Sequence, residues 1–207
     1  MRLVLPGAIG LWLVAICAAF AWLMRYDAVP GSVGKVVHSW PSDTCLTRDE
    51  TRLSLLVFAH PRCPCTRATL SELERILAMA EVDVDVCVCF YRPRDSAPDW
   101  HDSDIWDQAE RLPGARVQLD LDGQEARRFG ALTSGHVLLF ARDGTVLFDG
   151  GVTPARGHGG PSQGGEALQA LLRGVEVPVR QAAVYGCQIT EADCPLCKQE
   201  KRQWPPP

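Results

Sequence analysis

Two cysteines one residue apart, in His60-Pro61-Arg62-Cys63-Pro64-Cys65-Thr66, are the side chains of this sequence best suited to chemistry. A thiolate attacks disulfides and binds soft metal ions, and both tasks require the thiol proton to leave near neutral pH. The flanking residues bear on that requirement. Leu53–Ala59 is a short apolar run that reads as a buried strand. Beyond it, over Thr66–Ala80, Leu70, Leu73, Leu77 and Ala80 recur at helical spacing, with Arg67, Glu72, Glu74 and Arg75 for the wet face. The pair therefore falls at a strand-to-helix junction, where the positive end of a helix dipole lowers a thiol pKa. Cys63 is the candidate nucleophile or ligand, and Cys65 the resolving thiol or second ligand. A bridge over so short a separation is expected to be strained and easily reduced.

The chain has nine cysteines in 207 residues. Cys17 lies in an apolar amino-terminal segment, which leaves Cys45, Cys63, Cys65, Cys87, Cys89, Cys187, Cys194 and Cys197. Eight cysteines allow 105 pairings, so spacing does not give the connectivity. Cys87 and Cys89 share one face of the strictly alternating Val82–Tyr91, a strand by its period. They read either as buried inert thiols or, for Cys89, as a partner within reach of Cys63. Cys187 and Cys194-Pro195-Leu196-Cys197 read as a structural clip, with a second redox pair or metal half-site as the alternatives. No histidine follows Cys197, which excludes a covalent haem signature.

Leu3–Met24 carries no charge and is long enough to cross a bilayer as a helix. An uncleaved anchor is preferred to a cleaved signal peptide, despite the small-x-small pattern Ala19-Phe20-Ala21, because the run exceeds an h-region of about 7–15 residues. Residues 1–24 are then a transmembrane anchor or signal segment, and 25–50, rich in proline and glycine, a linker. Residues 51–175 form the folded domain, and 176–207 a cysteine-containing tail. Within the domain, a polar insertion spans 92–114 with a short helix around Ser103–Arg111. Arg116–Leu119 is a strand, Gly123–Phe129 a helix, and Val137–Phe140 with Val146–Phe148 a hairpin. Glu166–Arg173 is the last helix. The order is α/β with a single hairpin. A net charge of −4 with scattered basic residues gives no nucleic-acid signal.

Over about residues 51–175 the chain resembles the thioredoxin-like fold, above all its membrane-tethered, extracytoplasmic thiol–disulfide members. The strand–Cys–helix unit, Val117–Gly123 with Phe129-Gly130-Ala131, and the hairpin around Asp143-Gly144 carry the likeness. Cys63-Pro64-Cys65-Thr66-Arg67-Ala68, Thr133–Phe140, Gly150–Thr153 and Arg156-Gly157-His158 are further similar to RedB-like proteins. The resemblance implies a central mixed sheet flanked by helices, and puts Cys63 at the attacking position. Thr66 then stands where the second cysteine of a Cys-x-x-Cys motif falls, and Ser134-Gly135-His136 where the family has its cis-proline.

The resemblance also implies that the loops bearing His136 and His158 lie beside Cys63. There they would assist proton transfer or, for His136 with Cys63 and Cys65, complete a copper or zinc site. Arg156 would stabilise the thiolate, bind an anion or pin a loop, and His60 reads as an exposed loop histidine, with a metal ligand as the alternative. The function implied is a thiol–disulfide oxidoreductase in the cytoplasmic membrane, facing the periplasm. It would need no cofactor and would act on protein thiols and disulfides with a membrane or periplasmic reductant. A copper- or zinc-binding chaperone, and an anchored binding module with structural cysteines, are the alternatives.

Overall fold

The computed structural model describes residues 4–189. The five strands β1 (Leu53–Ala59), β2 (Val84–Arg92), β3 (Ala115–Leu121), β4 (His136–Phe140) and β5 (Val146–Gly150) form one sheet in the order β3-β2-β1-β4-β5. Strands β1, β2 and β3 run parallel, while β4 is antiparallel to both β1 and β5. The central strand β1 is covered on both faces, which is why its sequence is continuously apolar rather than alternating.

Two apolar clusters lie on either side of the sheet. Leu55, Val57, Val86, Val88, Val137 and Leu139 pack against Leu70, Leu73 and Ile76 of helix α2 (Pro64–Ala78), together with Leu168 and Leu172 of helix α5 (Gln163–Leu172). Leu56, Phe58, Cys87, Cys89, Leu138 and Phe140 face the other way, onto Phe129, Ala131 and Ile189. The polar insertion holds helix α3 (Asp104–Glu110), capped by the Ser103 hydroxyl accepting from the Trp106 N–H. A short helix α4 (Gln124–Arg128) follows β3, with Asp120 accepting the Glu125 and Ala126 amides at 2.9 Å.

The amino-terminal helix α1 (Val4–Ala28) contains Ile9–Ala28, a span of mean hydropathy 1.7 with no buried side chains, long and apolar enough to cross a membrane. Residues on both flanks of 51–175 pack on the domain. The Gly31 N–H donates to Val184 O at 2.8 Å, Gly34 N–H to Gly130 O at 2.8 Å, and Asp149 N–H to Arg180 O at 2.9 Å. Residues 181–189 thus form a strap across the domain, tied by bridges from Gln181 to Asp149 and from Gln188 to Thr133. Cys194 and Cys197 lie outside the described residues.

Candidate functional site

Helix α2 begins two residues earlier than its apolar spacing predicts. Pro64 occupies its first position, where a fixed φ suits a helix and the missing N–H costs nothing. Cys63 is therefore the N-cap residue, in extended conformation (φ −102°, ψ 120°), and Cys65 sits inside the first turn. Both side chains are buried; Cys63 is 1% exposed.

The residue that completes the site is Cys187, brought in by the strap. Its thiol and backbone N–H lie near enough to Cys63 and Cys65 to shift their titration, and its carbonyl accepts the Ser134 N–H at 2.8 Å. These contacts decide where the charge resides. The Cys187 thiol, then the Cys65 thiol, and the amides of Cys187 and Thr66 hold Cys63 far below the ordinary thiol range, against the opposing effect of burial. Cys187 also acts to lower the pKa of Cys65. The Cys63 side chain, burial and the Cys63 charge outweigh that and push it up to about 11, while the Gly157 amide lowers it slightly. Cys187 is raised far above the ordinary range. Of the three thiols, Cys63 is therefore the one favoured to ionise.

Hydroxyl groups fix the surrounding backbone. The Thr66 and Ser134 oxygens are 2.6 Å apart, the Thr66 hydroxyl donates to His60 O, and the His60 N–H donates to Ser134 Oγ at 3.0 Å. The Ser134 N–H in turn donates to Cys187 O at 2.8 Å. No cis peptide occurs among the described residues. Ser134 thus ties the β1–α2 junction to the strap from the position where the resemblance implies a proline. Gly135 follows at φ +88°, and a Cβ there would stand 2.6 Å from Thr69 Oγ1, so this turn requires glycine.

The two expected histidines have different fates. The loop of His158 does reach the pair: the Gly157 amide acts to lower Cys65, and a Cβ at Gly157 would stand 4.0 Å from Pro64 Cβ. The His158 ring itself is exposed, and its Nδ1 lies 2.6 Å from Arg156 O, a contact that leaves Nε2 as the acceptor. His136 is not gathered with the cysteines. It lies on the sheet face of Leu138 and Phe140, its Nε2 is 2.6 Å from Asp149 Oδ1, and its Nδ1 has no partner. The expected ligand set Cys63, Cys65 and His136 therefore does not converge. Among the described residues no group of three or more His, Cys, Asp or Glu side chains is arranged to hold a metal ion.

Replacing Asp149 with alanine leaves both His136 nitrogens buried without a partner and is expected to cost about 1–3 kcal/mol of stability. Denaturant unfolding measures the loss, and the titration of Cys63 should be unchanged.

His60 is 3% exposed rather than solvated, because its ring stacks on Tyr91 at 5.7 Å. Its Nδ1 accepts the Arg62 N–H at 3.2 Å. The Arg62 guanidinium lies 4.2 Å above the Trp100 ring, so a cationic and aromatic rim borders the cysteines. Arg156 pins a loop: its Nη1 donates to Gly186 O of the strap, and its guanidinium faces the Tyr26 ring. Cys87 and Cys89 face each other at 3.8 Å on the opposite cluster, with Gln118 beside Cys89. They are core residues in mutual contact.

No family model matches the chain, and no curated protein matches it. Solved structures do. A hypothetical protein of Sinorhizobium meliloti superposes with a TM-score of 0.58 at 17% identity, over 78% of this chain and 99% of that one. An uncharacterised conserved protein of Geobacillus kaustophilus gives 0.54 at 23% identity, over 79% and 89%. The strand order, the β4–β5 hairpin and the cysteine pair at the β1–α2 junction agree with the architecture implied by the sequence. The fold is thioredoxin-like. A secreted disulfide oxidoreductase of Mycobacterium tuberculosis is also among the matches, with a TM-score of 0.41 at 14% identity, over 60% of this chain and 81% of that one.

Cys187 and Ser134 are the site residues that spacing alone did not bring to the cysteines. Cys187 follows the last helix in a stretch with no periodicity, so only its neighbour Gly186 hinted at a close approach.

Proposed function

We propose that this protein is a membrane-anchored, extracytoplasmic thiol–disulfide oxidoreductase with Cys63 as its nucleophile. The observation that carries the reading is Cys63 at the N-cap of α2, with Cys65 in the first turn and the Cys187 strap tied beside them through Ser134, a setting that lowers the Cys63 thiol pKa. The thiolate attacks a substrate disulfide, forming a mixed disulfide on Cys63 and expelling the other substrate sulfur as thiolate. A second thiol of the site then displaces the remaining substrate sulfur, which leaves the protein oxidised and the substrate fully reduced. His158, in the loop whose Gly157 amide acts on Cys65, is assigned to accept the proton of the resolving thiol at Nε2. His136, held by Asp149, has no part in the chemistry.

The Cys-Pro-Cys-Thr-Arg-Ala run and the loops at 133–140 and 150–158, similar to RedB-like proteins, fit the same assignment. The Arg62–Trp100 rim suits an extended substrate chain. Protein disulfides are accordingly the substrate class, with a dithiol in or near the membrane as the reductant. Helix α1 is the anchor and directs the domain to the periplasmic side.

The test is catalysed reduction of insulin by dithiothreitol, with the full chain in detergent micelles. The protein is expected to accelerate the reaction over dithiothreitol alone, and the full chain to stay with membranes through alkaline carbonate washing. A rate equal to dithiothreitol alone would contradict the enzymatic assignment.

A further inference from the structure

We propose that Cys187, rather than Cys65, is the thiol that resolves the mixed disulfide on Cys63, so that the carboxy-terminal strap carries the second half of the reaction. The inference rests on the oxidoreductase reading above and names the residue that completes it.

The strap is fixed immediately around Cys187. Arg156 holds Gly186 O, Ser134 N–H donates to Cys187 O, and Ile189 N–H donates to Leu132 O at 3.0 Å. These bonds hold the Cys187 backbone against Ser134, whose hydroxyl lies 2.6 Å from that of Thr66 in the first turn of α2, so the strap runs beside the turn that carries Cys63. Cys187 also belongs to neither a helix nor a strand, so a small movement of its sulfur towards Cys63 breaks no regular ladder.

Cys65 meets a different constraint. It is joined to Cys63 through Pro64, whose ring fixes φ, and it lies within the first turn of α2. The Cys63 carbonyl accepts the Arg67 N–H at 3.4 Å in that turn. A Cys63–Cys65 bond must draw together an extended N-cap residue and a helical one across a rigid proline, which works against the narrow geometry of a disulfide. Charge does not choose between the two thiols. Once Cys63 is in a mixed disulfide its thiolate is gone, and the upward pressure it exerts on both neighbours goes with it.

The step balances without a further reagent. Cys187 gives up its proton and attacks the Cys63 sulfur; the Cys63–Cys187 bond forms, and the substrate sulfur leaves and takes a proton. Two protein thiols have then become a disulfide, and one substrate disulfide has become two thiols. An external dithiol resets the protein.

The test is a single turnover of the reduced full chain in detergent with oxidised glutathione, acid-quenched and mapped by peptide mass spectrometry. Wild type and Cys65→Ser are expected to end with a Cys63–Cys187 bridge. Cys187→Ser is expected to lose that bridge and retain glutathione on Cys63 as its main species. The backbone bonds that hold the strap do not involve the Cys187 side chain, and the wild-type map needs no variant. A Cys63–Cys65 bridge, or a bridge from Cys63 to any other cysteine, in the wild-type map would overturn the assignment of Cys187 while leaving Cys63 as nucleophile. Glutathione on other cysteines, with none on Cys63 at any time, would instead overturn the oxidoreductase reading itself.

Discussion

Replacing Cys63 with serine is expected to reduce dithiothreitol-driven insulin reduction to the uncatalysed rate. The loss follows from the charge distribution. In the native site the Cys63 thiol is lowered, while the thiols of Cys65 and Cys187 are raised by their burial and by Cys63. Serine removes the nucleophile and also the pressure on its neighbours. Cys65 and Cys187 then return towards ordinary behaviour, with only a few per cent thiolate at neutral pH. The higher intrinsic nucleophilicity of such thiolates recovers part of the loss but not a completed cycle, because no bridge to residue 63 can form. Insulin turbidity gives the turnover. A variant that turns over at the wild-type rate would show that the nucleophile is elsewhere.

Gly186→Ala acts on the same centre from a distance. A Cβ at Gly186 would overlap the Ser134 carbonyl oxygen and stand 2.9 Å from the Ser134 carbonyl carbon. That carbonyl lies in the turn that also holds Gly135 against Thr69, and it has little room to yield. The strap must lift, and with it go the Cys187 thiol and amide that hold the Cys63 pKa down. Hydrogen bonds to charged groups contribute about 1.5–3 kcal/mol each. Losing one is expected to raise the Cys63 pKa by about one to two pH units, since one unit corresponds to about 1.4 kcal/mol. Overpacking adds about 1–3 kcal/mol of destabilisation. The pH dependence of Cys63 alkylation measures the first effect and denaturant unfolding the second. An unchanged alkylation midpoint in a folded variant would separate the strap from the thiolate.

The elements that position the site were readable where one local pattern dominated. β1 was found at Leu53–Ala59 because burial on both faces leaves an uninterrupted apolar run. β2 was found within two residues because Val84, Val86 and Val88 alternate with residues facing the second cluster. The apolar spacing of α2 begins only at Leu70 and so predicts a late start, whereas Pro64 at the first position opens the helix.

The errors in the site have a common origin. Strand period assigns His136 and Val137 to opposite faces, but both faces of β4 are apolar, so the sequence does not say which one carries α2. His60 is buried by Tyr91, a residue on another strand. Cys187 is positioned by single hydrogen bonds from Ser134 and Arg156, which impose no period on residues 181–189. Contacts made once between distant segments leave no repeating trace in the chain, and those contacts assemble this site.

The reduced protein is expected to keep a thiolate on Cys63 well below the ordinary thiol range. The direct measurement is the ultraviolet thiolate absorbance of the reduced protein minus that of Cys63→Ser, followed from alkaline to acid pH. The expected result is an absorbance equivalent to about one thiolate that persists to about pH 5, far below the ordinary thiol pKa of about 8.5. A difference signal that disappears with a midpoint near that ordinary value would contradict the account.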